Sequence, residues 1–528
     1  MVNKKRSKKK NAANDDNSKR DATSAPVDDR TTLVPAAVLS RILDYTFQAT
    51  VLNVAAVCQS WRAVAQVHDL YYVRVVLDGD DGEYREKSKE FFKSIYGAVH
   101  LAHFKRLHVI VSSPSTDDGI DENELMLGNI TALKVIESNM AYIVHLHLSL
   151  PDICSGPLGE FLRHADAPVL EEFYCSFDGE GGPGPFAALP PDLFRGSAPA
   201  LKSVTLTGVE LTAKPVRAFA NVRRASLEQY SSEGLLFVPH NFPGMTHLTL
   251  DFLDADFDDR YIGLDESGPP VKSLGARLQH FELNLYASEM GLPTQLRSIL
   301  EKQAIPSIAV SLCAEEEDDL ADSQEFAPFL AHVGKPYRVV LRRERQYSGP
   351  TAEDWERRPH DAEASLVMEV FSLGSHFKRK FTADNALEPS PASETALLRR
   401  LPELAPHIRE LEVADILLHE LFRELDSVSL PRLKRLTIDF DSPQRDEANA
   451  WEHFARRGSG KIECPNLESV TLRCAMAYRP SVNDQDVAKV VARFKPGSKL
   501  PELCCAGVTL GAGDDSSLLS SMVEMRIA

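Results

Sequence analysis

A short phrase recurs along most of this 528-residue chain and constrains its fold more than any other feature. A Pro often comes first. An apolar residue follows, then two variable residues, an apolar residue, one variable residue and a further apolar residue. The phrase stands at Ala167-Pro168 with Leu170, Phe173 and Cys175, at Ala198-Pro199 with Leu201, Val204 and Leu206, and at Phe242-Pro243 with Met245, Leu248 and Leu250. The C-terminal third repeats it at Ala405-Pro406 with Ile408, Leu411 and Val413, at Leu430-Pro431 with Leu433, Leu436 and Ile438, and at Cys464-Pro465 with Leu467, Val470 and Leu472. Weaker copies are Phe104/Leu107/Val109, Ile143/Leu146/Leu148, Val222/Ala225/Leu227, Leu278/Phe281/Leu283 and Leu503/Ala506/Val508. Each copy reads as a turn and then a strand whose alternate residues face one core. Starts at Ile408, Leu433, Leu467 and Leu503 lie 25, 34 and 36 residues apart. Helical spacing fills the gaps, at Asp415 to Val428 and Asp484 to Phe494. Strand then helix, at a period of roughly 20–40 residues, predicts an α/β solenoid.

A second pattern precedes the array. In Val34 to Tyr72, Pro35 suits the first position of a helix, where a missing N–H costs little. Val38, Leu39, Ile42 and Leu43 follow on one helical face. Further short helices are predicted from Thr50 to Val57 and from Gln59 to Val67. Three helices in so few residues bury little surface, so the unit is expected to rest on something else.

Composition bounds the remaining possibilities. The net charge is −18, yet the first twenty residues hold eight Lys/Arg and two Asp, leaving −24 on the rest. An acidic body is a poor ligand for phosphate backbones, so no nucleic-acid partner is expected. The basic head, Lys4, Lys5, Arg6, Lys8, Lys9 and Lys10, fits a nuclear-localisation signal, a nucleic-acid-binding arm or a solvated tail. Residues 1–30 are expected to be a disordered basic tail. No apolar run reaches the ~18 residues needed to cross a bilayer, and the N-terminus lacks the apolar core of a secretory signal. Eight scattered cysteines suit a reducing compartment, the nucleus or the cytoplasm.

The segment from residue 33 to 72 resembles an F-box, through Val34-Pro35, Val38, Leu39, Ile42, Leu52, Val57-Cys58 and Trp61-Arg62. Where that family usually has Leu, an acidic residue after Pro, and Leu-Trp at the end, this chain has Val34, Ala36 and Leu70-Tyr71. The repeats resemble the irregular form of leucine-rich repeats. The Asn that usually caps the strand turn is replaced by Asp178, Val209, Asp441 and Ala475. The resemblances imply a tail (1–30), an F-box (31–75) and a leucine-rich-repeat-like solenoid (76–528), with polar insertions near 314–335 and 342–396. A hairpin of Tyr337–Arg342 and Leu366–Leu373 is expected within the second interruption. They also imply a non-catalytic substrate-recognition adaptor of a Skp-cullin-F-box ubiquitin ligase. Val34, Pro35, Val38, Leu39, Ile42, Leu52, Val57 and Trp61 would engage a Skp-type adaptor and, through it, a cullin. Leu39, Ile42 and Leu52 would be the apolar contacts, with Trp61 bracing the third helix. A protein target would lie on the concave face, on residues such as Lys202, Ser203, Thr205, Glu468, Ser469 and Thr471. The alternative is a nuclear repeat-protein scaffold with no tie to ubiquitination.

Other constellations point away from chemistry. Gly179-Glu-Gly181-Gly-Pro-Gly184 matches a dinucleotide fingerprint in form, but Pro183 and Pro185 remove donors and Asp178 and Glu180 repel phosphate. Asp254, Asp256, Asp258 and Asp265 echo a calcium loop, but Asp259 stands where the sharp turn wants Gly. His100/His103 and His145/His147 lack partners at metal spacing, and the latter pair should face away from the core. Cys58 reads as packed rather than nucleophilic. No cofactor or metal is expected.

Overall fold

A computed structural model describes residues 34–43, 45–46, 48–66, 68, 74–78, 84–101, 107–114, 122–178, 187–228, 232–252, 277–286, 294–313, 326–345, 364–384, 397–426, 428–440, 460–474, 480–511, 519 and 523–526. It is a mixed α/β chain with a large, mostly parallel sheet and twelve α-helices among the described residues. Two units separate, Met1–Val73 and Arg74–Ala528.

The first unit holds three helices, α1 (Ala36–Leu43), α2 (Gln48–Val57) and α3 (Gln59–Gln66). Pro35 lies just outside α1 rather than within it, and its carbonyl accepts the first bonds, from Val38 N (2.9 Å) and Leu39 N (3.0 Å). Leu39, Leu43, Val51, Ala55 and Ala65 form the core, with Val34, Val54, Trp61 and Val64 packed at its border. Arg62 Nε donates to the Ala55 carbonyl at 2.9 Å and ties α3 to α2.

The second unit is built on one seventeen-stranded sheet. Its first strands are β1 (Arg74–Asp78), β2 (Leu107–Ser112), β3 (Ile143–Pro151) and β4 (Glu172–Asp178). Next come β5 (Ala187–Ala188), β6 (Ser203–Thr207), β7 (Val209–Glu210), β8 (Arg224–Glu228), β9 (His247–Phe252), β10 (His280–Tyr286) and β11 (Ser307–Cys313). The pair β5–β7 stands apart, and the others run parallel, each beside the next in sequence. Two rows of side chains run across the inward face. One reads Val75, Val109, Leu146, Phe173, Val204, Ala225, Leu248, Phe281 and Ile308. The other reads Leu77, Val111, Leu148, Cys175, Leu206, Leu227, Leu250, Leu283 and Val310. All are buried. Truncating one such Leu to Ala costs about 2–5 kcal/mol, because so dense an interior closes the cavity only in part.

The order then inverts. Strands β12 (Tyr337–Arg345), β13 (Ala364–Ser372) and β14 (Lys378–Asp384) form an antiparallel meander. It enters the sheet backwards: β14 pairs with β11, and β12 pairs with β15 (Ile408–Ala414). The expected hairpin thus has a third strand, and all three lie within the ladder. Parallel pairing resumes through β16 (Arg435–Asp439), β17 (Ser469–Arg473), β19 (Glu502–Ala506) and β21 (Glu524–Arg526), while β18 (Ser481–Asn483) and β20 (Thr509–Gly511) pair separately. Residues 314–325, 346–363 and 385–396, the polar parts of the expected insertions, lie outside the described residues.

Two copies of the phrase sit in a different register from the expected one. The partners of Val470 and Leu472 are Leu503 and Cys505, so the last copy is Leu500/Leu503/Cys505, and Ala506 is exposed. On β2, Val109 and Val111 match Leu146 and Leu148, which moves that copy two residues along. Strict alternation keeps the same face inward after a two-residue slip, so apolar pattern alone does not detect it. After β19, Gly507 has φ +74° and an added Cβ would lie 2.0 Å from the Cys474 carbonyl oxygen; Gly208 after β6 has φ +64° and meets Phe177 O at 2.6 Å. Both turns need Gly for conformation and for space.

One inward position holds a cation. Arg379 on β14 occupies the place between Ile308 and Val370, with 1% of its surface exposed. Its guanidinium donates only to main-chain carbonyls: Phe329 O (2.5 Å), Ala331 O (3.2 Å), Ile305 O (3.1 Å), Pro306 O (3.2 Å) and Lys378 O (2.9 Å). Burial lowers its pKa to about 10, so it remains charged at neutral pH. The side chain satisfies the end of the short helix Ala327–Leu330 and the turn before β11, at the seam where strand order inverts. Arg379→Met is expected to cost roughly 3 kcal/mol or more in chemical denaturation, since it strands several buried acceptors. Arg379→Lys, with three donors on a flexible stem, should recover only part of this.

Candidate functional site

In the helical unit the expected contact residues divide between two faces. Leu39 is 3% exposed and belongs to the unit's own core, so it is not a surface contact. Val38 and Ile42, one residue before and three after it, are 49% and 51% exposed. Tyr45 continues their i, i+4, i+7 stripe at 77% exposure, with Arg41 over its ring at 5.6 Å. Val57, at the end of α2, is also exposed. Trp61 and Val34 are half-buried against the core, and Pro35 is exposed. The side chain of Leu52 and the whole of Lys4, Lys5, Arg6, Lys8, Lys9 and Lys10 lie outside the described residues. Three large apolar groups on so small a unit form a surface that water solvates poorly.

The opposite face of the sheet carries polar side chains. His145 and His147 point there, as their alternation with Leu146 and Leu148 requires. Neighbouring strands stack their rings: His108 on His145 at 4.1 Å and His147 on Tyr174 at 3.8 Å between centroids. His145 Nδ1 lies 2.9 Å from Glu172 Oε2. Burial, and then the His145 charge, push the pKa of His108 down; burial, and then Arg74, do the same to His147. Further along, Asn284 Nδ2 donates to Asp251, whose pKa is raised by burial, although that bond opposes the shift. The expected face residues Ser203, Thr205, Ser469 and Thr471 are half-buried here, whereas Lys202 and Glu468 precede their strands and pair with Glu171 and Lys434.

The same face becomes densely charged between β14 and β17, which the sequence reading did not single out. Arg338 Nη2 lies 2.8 Å from Glu412 Oε2, and Arg473 Nη2 bridges Glu412 Oε1 (2.5 Å) and Asp439. Burial pushes the Glu412 carboxyl up, but the two guanidiniums outweigh it and hold it below the usual range. Arg342 contacts Glu344 (2.5 Å) and Glu369 (3.0 Å), and Lys378 and Lys380 close the network on Glu369 and Glu344. The available signal was Arg338, Arg342 and Glu344, whose even spacing places three charges on one face of a central strand.

Among the described residues no group of His, Cys, Asp or Glu is placed to hold a metal, and no helix is long and apolar enough to cross a membrane. The glycine-rich segment 179–184, the acidic segment 254–265 and His103 lie outside those residues. Cys154, Cys175, Cys464 and Cys474 are buried free thiols, and burial raises Cys154 to about 11, far from a nucleophile's range. Cys58 is half-buried with its Sγ 3.2 Å from Ser60 Oγ. No family model matches the chain, and no curated protein matches it.

The histidine stacks set a pH dependence. His108 and His147 have folded pKa values below the ordinary imidazole value of about 6.5, so the unfolded chain binds more protons below that pH. Their contribution is fully present above pH 6.5 and falls as pH drops from there through the lowered values. The thermal midpoint is expected to decline from pH 7 to pH 5, and His147→Phe should reduce the slope while keeping the stack on Tyr174.

Proposed function

We propose that this chain is a substrate receptor of a Skp-cullin-F-box type ubiquitin ligase, with the three-helix unit as an F-box and the sheet as an irregular leucine-rich-repeat-like solenoid. The observation that carries the reading is the exposed stripe Val38, Ile42 and Tyr45 on a helical unit whose own core is already filled by Leu39 and Leu43. An amphipathic helix with apolar residues on both its inner and outer sides suits burial in a partner's groove. The successive parallel strands, at intervals of roughly 20–40 residues, support the repeat reading of the larger unit. No residue of the chain performs transfer in this scheme. The receptor raises the effective concentration of a target's lysines near the conjugating enzyme.

Capture of a Skp-type adaptor by the purified chain tests the proposal. Val38→Asp and Ile42→Asp are expected to weaken capture at least tenfold while leaving the unit's helicity intact, because both side chains face outward. Leu39→Ala should instead destabilise the unit by about 2–5 kcal/mol and lose capture through unfolding. Failure of the wild-type chain to bind any such adaptor overturns the reading. A nuclear scaffold without the ligase draws on the basic head at Lys4 to Lys10. It predicts that removing residues 31–75 leaves target binding and cellular function unchanged.

A further inference from the structure

The parallel ladder has an open end at β1. Among the described residues β1 pairs with β2 alone, from Arg74↔His108 to Asp78↔Ser112, with no shift of register. Its other edge therefore has no strand partner among those residues. Native sheets blunt such an edge with Pro, a bulge, an inward-pointing charge or a very short strand. The run Arg74-Val-Val-Leu-Asp78 shows none of these. Its inward residues Val75 and Leu77 are buried, and the central Val76 is 45% exposed on the outer face. At the opposite end of the ladder, by contrast, β21 has only three residues.

The helical layer ends at the same place. Helix α4 (Tyr84–Leu101) follows β1 and packs on it and on α5 (Glu122–Asn139). It buries Ser88, Phe91 and Ile95 and leaves Phe92 and Tyr96 exposed, their rings stacked at 5.5 Å. Lys89, Glu90 and Lys93 are exposed around them. An aromatic pair left in water on a terminal helix is apolar surface that a partner can cover.

The residues of β1 decide which neighbour fits its edge. Opposed residues on adjacent strands share a face, so a partner strand must bring apolar residues against Val75 and Leu77. Parallel, in-register pairing with another β1 would set Arg74 against Arg74 and Asp78 against Asp78. Antiparallel pairing about Val76 sets Arg74 against Asp78, Val75 against Leu77 and Val76 against itself. Moving the centre to Val75 or Leu77 loses both charge pairs. The strand is thus complementary to itself under a two-fold axis normal to the sheet, which is the condition for a closed dimer. The same axis keeps both cores on one side, so the buried rows run on from Val75 of one chain to Leu77 of the other.

We propose that β1 is a dimerisation edge, on which a second copy of this chain adds its own β1 antiparallel about Val76 and extends the sheet from one molecule into the other. Five residues of strand bury less than the roughly 1,200–2,000 Å² of a stable interface. The association is therefore of moderate strength, and the helical layers that the axis brings to one side add to it. The dimer does not depend on what the helical unit binds.

Sedimentation equilibrium of the full chain, in low salt and across the micromolar range, is expected to show a reversible monomer–dimer equilibrium. Asp78→Arg and Arg74→Asp each set like charges against each other at both ends, and each should weaken self-association roughly tenfold. An equimolar mixture of those two variants should dimerise about as well as the wild type, because one chain is then positive at both ends and the other negative. The double exchange Arg74→Asp/Asp78→Arg should restore self-association within a single chain. Val76→Lys and Val76→Asp should likewise each repel a copy of themselves and pair with one another, with thermal midpoints unchanged because the side chain faces outward. This second mixture carries the test should Arg74→Asp fail to fold. Three results overturn the proposal: a wild-type chain that stays monomeric, a dimer that these substitutions leave unchanged or that Val38→Asp/Ile42→Asp abolishes instead, or growth into larger species through head-to-tail pairing of β1 with β21.

Discussion

Everything in the larger unit depends on in-register parallel pairing that carries two rows of apolar side chains from strand to strand. Each strand contributes two inward residues, and each pair of neighbours brings like positions side by side. Val109 meets Leu146, Leu146 meets Phe173, and the rows run on through Leu436 to Val470. Backbone bonds just before the strands extend the same stacking, as in Lys202 N to Glu171 O (2.9 Å), Arg223 N to Lys202 O (2.8 Å) and Thr246 N to Arg223 O (2.9 Å). With the inward face committed to the core, the other face is free to vary. It carries stacked imidazoles at one place and a dense mixture of arginines and carboxylates at another.

The charged region and the buried arginine lie in the same part of the sheet. Where strand order inverts, β13 is buried on both faces, with Glu369 at 3% exposure among Arg342, Lys378 and Lys380. Arg379, its neighbour on the core side, is paired with carbonyls instead of a carboxylate. A charge held by peptide dipoles stays ionised without an ion partner, and its bonds join segments far apart in sequence. The electrostatics of this region therefore serve the seam on one face and hold a network of ion pairs on the other.

The apolar phrase made most strands legible, because a half-buried strand repeats every two residues whatever its loops do. Register was harder for the same reason on β2, where Leu107 and Val109 satisfy one period equally well; on β19 the slip was three residues, because Leu503, Ala506 and Val508 reproduce the spacing of the phrase. Strands β1, β11 and β14 escaped detection for separate reasons. β1 is short and stands before the recurring phrase begins; Ile305, Ile308 and Val310 form a copy in an otherwise small, polar setting; Arg379 breaks the apolar pattern of β14. In α1 the positions 38, 39, 42 and 43 are all apolar, so two stripes compete for the core. Only packing against Val51, Ala55 and Ala65 decides that Leu39 and Leu43 turn inward and that Val38 and Ile42 face solvent. The charged network was invisible to pattern, since its residues come together from β12, β15, β16 and β17, more than 130 positions apart at the extremes, Arg338 and Arg473.

The inverted meander also alters how such an array folds. In a simple stack each unit docks on the one made just before it, and order spreads along the chain by nearest-neighbour steps. Here β14 must join β11 across the whole intervening meander, and β15 must join β12, whose Tyr337 lies 71 residues before Ile408. Closing those loops costs chain entropy before any pairing repays it, so this middle stretch is expected to order later than the simple parallel stacks. The strands on either side can nucleate separately, and the sheet becomes continuous only when three strands between them are placed together.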